Sequence, residues 1–170
     1  MIDVVRADIT TLAADAIVNA ANAELFPGGG VSGAIHRAAG PELAAACRTI
    51  GGCDIGGAVI TPGFGLPARY VIHAVGPIWR GGAAGERDTL RATYGSIFRV
   101  ARANPGIRTI AIPAISTGVY GFPKGDAATI AVGVMRLHEA AFERITACLF
   151  DDESVTLYER ALAASADRAL

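Results

Sequence analysis

The chain has 170 residues, 52% hydrophobic and 18% charged, with a formal net charge of −1. That composition suits one well-buried core and the length is too short for two ordinary domains, so residues 1–170 are expected to form a single domain. The small net charge excludes an overall basic field for nucleic acid, and no apolar run reaches the roughly 18 residues of a membrane span.

Residues 2–7 read as a first strand, with Asp8 and Ile9 just beyond it. The opening MIDVVRADI lacks the apolar stretch and small-residue cleavage site of a secretory signal. Cys47, Cys53 and Cys148 make an odd number, so a reducing, cytoplasmic setting is expected. No metal pattern arises, because Cys47 and Cys53 lack a CxxC pairing and His36, His73 and His138 fall on separate elements. In AADAIVNAAN a short buried strand, 16–19, leads into Gly28, Gly29 and Gly30, and a helix begins near Val31. The first amides of that helix are unpaired and suit an anion. Gly28, Gly30 and Gly33 match GxGxxG, but the dinucleotide reading fits poorly. Eight residues separate Asn19 from Gly28, and Asp54, the nearest acid at the right distance, lies in a Gly-rich loop.

The helix at 31–50 is expected to break at Pro41, which has no interior amide to give. Strands follow at 58–62 and 70–74, the second carrying His73, which reads as a satisfied core histidine. WRGGAAGERD, 79–88, reads as a mobile surface loop, and Arg80, Arg87 and Arg91 as a solvated face. A helix at 88–103 and a strand at 109–113 lead to PAISTGVYGFP, 113–123, and then a helix at 125–140. Strand, Ser-Thr-Gly loop and helix form a second anion-binding arrangement. The GxxxxGK[ST] pattern is absent, since Lys124 precedes Gly125, so a diphosphate held by backbone amides is favoured over a triphosphate with Mg²⁺. A last strand, 144–150, and a helix, 154–168, complete the chain, whose Ala-rich tail, 161–170, is expected to fray. The alternation predicts an α/β fold with a mixed, largely parallel sheet covered on both faces. Ligands of such sheets sit at the carboxyl ends of the strands, where Asp8, Asn22, both glycine loops and Asp151 would converge.

Six segments, in order, carry a resemblance: ADIT at 7–10, NAAN at 19–22, GGGVSGAIHRAAGPEL at 28–43, AVITPGFGLPARYVIHAVGPIW at 58–79, AIPAISTGVYGFP at 111–123 and FDDESVTLYERAL at 150–162. The chain resembles a macrodomain of the MacroD type. The resemblance implies a three-layer α/β/α sandwich that binds ADP-ribose, often with hydrolysis of ADP-ribose esters on proteins or of O-acetyl-ADP-ribose. The expected partner is ADP-ribose or an ADP-ribosylated substrate, with no cofactor, no metal and no membrane, and the chain is expected to be a monomer.

By residue type alone Asp8 is a turn or helix cap; the resemblance makes it the reader of the adenine amino group, with the Ile9 amide donating to a ring nitrogen. Phe150 and Asp151 resemble residues bordering the base, Phe150 either stacking on it or packing in the core. Gly29, Gly30 and Val31 belong to the first anion loop. Gly118, Val119, Tyr120 and Gly121 would wrap the diphosphate with their amides, and Ser116 and Thr117 would add hydroxyl donors or hold the loop. Tyr120 matches an aromatic residue of the family that lies against the distal ribose; otherwise it is a surface tyrosine. Asn22 can hold the ribose hydroxyls and an attacking water, because its amide both donates and accepts. Asn19 is expected to pin the loop backbone. His36 either lines the ribose pocket or bonds within the fold.

Two departures stand out. MacroD-type hydrolases carry Asp in GGGVDG, thought to orient or activate the water, where this chain has Ser32; a serine hydroxyl is no base near neutral pH. Pro27 replaces a glycine and stiffens the loop. Two functions therefore stand: a hydrolase in which Asn22, beside Ser32, and a substrate phosphate position the water, or a reader that binds ADP-ribose and releases it unchanged. Some members of viral type lack the same carboxylate and still hydrolyse, which favours the first.

Overall fold

Successive side chains of a strand face opposite sides of the sheet, and the central strands are buried on both, so one sheet separates two apolar layers. The computed structural model describes residues 1–168; the tip of the Ala-rich tail lies outside the described residues. The strands are β1 (Ile2–Arg6), β2 (Ala16–Ala21), β3 (Ala58–Pro62), β4 (Tyr70–Val75), β5 (Thr109–Ile112) and β6 (Arg144–Leu149). The helices are α1 (Gly30–Ala39), α2 (Pro41–Ile50), α3 (Glu86–Arg102), α4 (Lys124–His138) and α5 (Asp152–Asp167). Ile17 and Val71 pack with Ile35 and Leu43 of α1 and α2 on one face. Val18, Ile72, Ile110 and Ile112 point the other way, onto Leu90, Tyr94, Ile97 and Phe98 of α3 and onto α4 and α5. The result is the expected three-layer α/β/α sandwich.

The six strands lie in the order β1-β6-β5-β2-β4-β3. All neighbouring pairs are parallel except β3 with β4, which are antiparallel. The carboxyl ends of β1, β6, β5, β2 and β4 therefore share one edge, and the loops leaving them are neighbours.

The expected helix of 31–50 is two helices. Gly40, at φ +88°, breaks the chain, and Pro41 takes the first position of α2, where a missing amide costs nothing. β2 runs two residues beyond its expected end, to Ala21, and a 3₁₀ turn at Ile9–Thr11 follows Asp8.

Segment 79–88 is not the loose surface loop its composition suggests. Glu86 is 3% exposed. Its Oε2 accepts from the amides of Arg80 at 2.9 Å and Gly82 at 2.7 Å, and its Oε1 from Ala84 at 2.7 Å. The basic grouping is likewise only partly a solvated face. Arg91 pairs with Asp88 at the surface, but Arg87 lies 5.0 Å over the Trp79 ring and binds Asp126 at 2.8 Å.

Candidate functional site

A cleft of about 320 Å³ opens at the carboxyl edge between β2, β4 and β5. Its walls are Ala20, Ala21 and Asn22 at the end of β2, Gly28–Ser32 at the start of α1, Gly76 after β4, and Ala114–Ser116 with Gly118–Tyr120 after β5. Both loops singled out in the sequence thus meet across one hollow. The amides of Gly29, Gly30, Val31 and Ser32 make no hydrogen bond among the described residues, nor do those of residues 116–120; the Gly121 amide, also expected to face the diphosphate, instead donates to the Gly118 carbonyl at 3.0 Å and closes the loop. The first set lies at the positive end of the α1 dipole, so both walls favour an anion.

Asn22 and Ser32 flank Gly28. Asn22 Nδ2 and Ser32 Oγ each stand 3.7 Å from the point where a Gly28 side chain would begin. Asn22 binds Phe26 with both ends of its amide, Nδ2 donating to the carbonyl at 3.0 Å and Oδ1 accepting from the amide at 2.9 Å. One hydrogen and one lone pair remain for a ligand. Ser32, 6% exposed, accepts from the Gly28 amide at 3.3 Å, which leaves its own proton to donate. The loop is therefore pinned by Asn22 and Ser32 and not by Asn19, which is 1% exposed and turned inward to His73.

The second wall is strained. Ser116 has φ +66°, a left-handed conformation that costs a non-glycine residue on the order of 1–3 kcal/mol. Its buried hydroxyl has no partner among the described residues, although it belongs to a cleft-lining residue. Gly76 makes room for it: a Cβ there would sit 2.2 Å from Ser116 Oγ and 2.6 Å from Ile115 Cγ2. Strain and an unpaired polar group at a cleft wall are the marks of a surface shaped for a ligand. Sequence reasoning missed Gly76, Ala20 and Ala21 as wall residues. The signal for Gly76 was its place directly after β4, a carboxyl end like the others.

Asp8, Ile9, Phe150 and Asp151 lie outside the hollow but on the same edge. β1 and β6 pair as far as Arg6 with Leu149, and the Ala7 amide donates to the Leu149 carbonyl at 3.2 Å. Asp8 caps the 3₁₀ turn: Oδ1 accepts from the Thr10 hydroxyl at 2.7 Å and its amide at 3.0 Å, and these bonds lower the carboxyl below its ordinary range. Capping uses Oδ1 and leaves Oδ2 without a hydrogen bond among the described residues. The Ile9 amide is unpaired within the fold. Phe150 is 83% exposed, which overturns core packing as its role. Asp151 caps α5 by accepting from the Ser154 amide at 2.7 Å, and that bond lowers its carboxyl.

Thr117 is half-buried beside the cleft without lining it, Val119 is fully exposed on the lip, and Tyr120 is half-buried in the wall. His36 makes no side-chain hydrogen bond among the described residues, against one of its two expected roles. It is 8% exposed, its ring nitrogens have no partner, and it lines a separate hollow of about 400 Å³ with Pro27, Gly28, Gly33 and Arg37. Gly28 is the wall between the two hollows. His73 is the core histidine expected, fully buried and bonded on both ring nitrogens. Among the described residues no helix is long and apolar enough to cross a membrane.

A sequence model of the Macro domain matches residues 18–131. A macro domain-containing protein of Ralstonia nicotianae is 60% identical over 157 residues, spanning 92% of this chain and 91% of that one. A protein of Enterobacter cloacae named O-acetyl-ADP-ribose deacetylase is 52% identical over 168 residues, spanning 95% and 93% of the two chains. Among solved structures, the Oceanobacillus iheyensis macrodomain with ADP is similar at TM-score 0.91 and 37% identity, with 97% of this chain and 91% of that one covered.

Proposed function

The chain belongs to the macro domain family, and from that premise we propose that it binds ADP-ribose along the carboxyl edge of the sheet and hydrolyses ADP-ribose esters. The observation that carries the reading is the pair of unpaired amide rows, 29–32 and 116–120, on opposite walls of one cleft. A diphosphate between them would be met by backbone donors and a helix dipole on one side and a strained loop on the other. The adenine would then extend toward Asp8, Ile9, Phe150 and Asp151, and the distal ribose toward Asn22, Ser32 and Tyr120. Relatives named O-acetyl-ADP-ribose deacetylase support an acylated ribose as substrate.

In the proposed reaction a water held by Asn22 and a substrate phosphate oxygen adds to the ester carbonyl. The bond from the acyl carbon to the ribose oxygen breaks, the ribose oxygen takes one of the water's protons, and ADP-ribose leaves with a carboxylic acid that gives the other proton to solvent. Ser32 contributes a hydroxyl proton to a substrate or water oxygen and no base. Much of the rate then comes from orientation, while a carboxylate base would add roughly 10²- to 10⁴-fold. Mono-ADP-ribose esters on acidic side chains are a second substrate class for the same site.

The alternative, a reader that binds without cleaving, has one observation in its favour: Ser32 Oγ is already engaged by the Gly28 amide and both ends of the Asn22 amide by Phe26. Asn22→Ala tests the hydrolase. Calorimetry is expected to show retained ADP-ribose binding while O-acetyl-ADP-ribose turnover is lost; turnover equal to that of the natural protein removes Asn22 from the chemistry.

A further inference from the structure

Segment 79–88 lies outside the proposed cleft, yet it is fastened to it at one point. The Trp79 amide donates to the carbonyl of Tyr120 at 2.9 Å, and the Trp79 ring packs on Phe122 with centroids 4.8 Å apart. Tyr120 is a wall residue, and the Phe122 amide closes the same loop by donating to the Ser116 carbonyl at 2.9 Å. The position of Trp79 therefore bears directly on the loop 116–122. Arg87 covers the outer face of the indole at 5.0 Å and is itself held by Asp126.

The segment that leaves Trp79 is ordered by the carboxylate of Glu86. A glycine-rich run such as Arg80–Gly85 has little conformational preference of its own and loses much entropy on ordering. Three amides of this run converge on Glu86 at 2.7–2.9 Å, with both carboxylate oxygens used. Hydrogen bonds to an ionised acceptor are among the stronger ones, and Glu86 also sits in the first turn of α3, where a negative charge is favoured.

We infer that Glu86 is a positioning residue for the diphosphate loop, acting through residues 80–84 and Trp79 on Tyr120. The inference rests on the proposed ADP-ribose site and deepens it by identifying what holds one wall in place. It makes a selective prediction. Disturbing Glu86 shifts only the 116–122 wall, so a ligand that uses that wall suffers and one that uses only the adenine end does not.

The test compares ADP-ribose and adenosine binding to the natural protein and to Glu86→Gln, by calorimetry and NMR titration, with circular dichroism as the check on folding. Gln has nearly the shape of Glu, but one acceptor oxygen becomes an NH₂ donor facing amide donors. The expected result is a loss of ADP-ribose affinity on the order of tenfold to a hundredfold, the scale of a small misplacement of binding groups, with adenosine affinity unchanged. Unchanged ADP-ribose affinity, or equal losses for both ligands, overturns the inference. If the natural protein does not bind ADP-ribose, the parent reading fails instead. Should Glu86→Gln not fold, Glu86→Asp, which keeps the charge but draws the carboxylate back from the same three amides, carries the same pair of outcomes.

Discussion

Around His73 the interior holds a polar cluster that the chemistry at the edge does not use. Nδ1 faces Asn19 Nδ2 at 3.1 Å, Nε2 faces Thr61 Oγ1 at 2.9 Å and Cys47 Sγ at 3.8 Å, and the His36 ring lies 6.5 Å away. Nδ1 shares one hydrogen bond with the Asn19 side-chain amide and Nε2 another with the Thr61 hydroxyl, and a neutral ring can satisfy both, one by donating and one by accepting. The imidazole is neutral. Burial first, and the neighbouring His36 second, bring its pKa down from 6.5 to about 4. The unfolded chain takes up a proton near pH 6.5 and the folded chain does not until about 4, so this stability is full above pH 6.5 and declines as pH falls toward 4. The loss is on the order of 3 kcal/mol across that window. Denaturant titrations of the natural protein and His73→Gln at several pH values are expected to show a shallower decline in the variant; parallel curves contradict the assignment. The sequence already marked His73 as a core residue. It did not reveal that Asn19 faces it, because that depends on the pairing of Asn19 with His73 across β2 and β4, a contact between residues 54 positions apart.

The elements themselves were largely legible. Alternating apolar residues place the strands to within about two residues, the usual error of such boundaries, and the Gly40–Pro41 pair divides α1 from α2. The loop tie was not legible. Glu86 follows three glycines and two alanines and looks like a solvated acid, and only the folded chain shows its carboxylate surrounded by amides. The same holds at Gly76, whose importance comes from the loop after β5 that crosses above it. A methyl group there must displace Ser116 and Ile115, since 2.2 Å and 2.6 Å are shorter than any stable contact. Overpacking of this kind costs about 1–3 kcal/mol. Gly76→Ala is therefore expected to lower stability in chemical denaturation by about that amount and to weaken ADP-ribose binding as the wall moves. If neither quantity changes, the loop is not seated as described.

At the scale of the whole molecule, the parallel order β1-β6-β5-β2-β4 is what turns scattered residues into a site. Asp8 and Asp151, 143 positions apart, come to one edge because β1 lies beside β6, and residues 22–32 meet 114–120 because β2 lies beside β5. Strand order could not be read from alternation alone, since many orders satisfy the same pattern; the family resemblance implied the three layers and left the order to the folded chain. The anion-binding character was legible locally, because glycine loops at helix starts have the same physics in any fold. The weight of Ser32 was not, because whether its hydroxyl meets substrate or only the Gly28 amide depends on a loop pinned by Asn22 and Phe26.

The central claim is that this cleft performs ester hydrolysis by orientation without a carboxylate at position 32. A time course on O-acetyl-ADP-ribose, run with the natural protein and with Ser32→Asp at matched ADP-ribose occupancy, tests it directly. The account predicts clear turnover by the natural protein and a moderate gain in the variant, no more than the roughly 10²- to 10⁴-fold that a general base supplies. A natural protein that binds ADP-ribose but leaves the ester intact, with activity appearing only in Ser32→Asp, would contradict the claim and make the protein a reader.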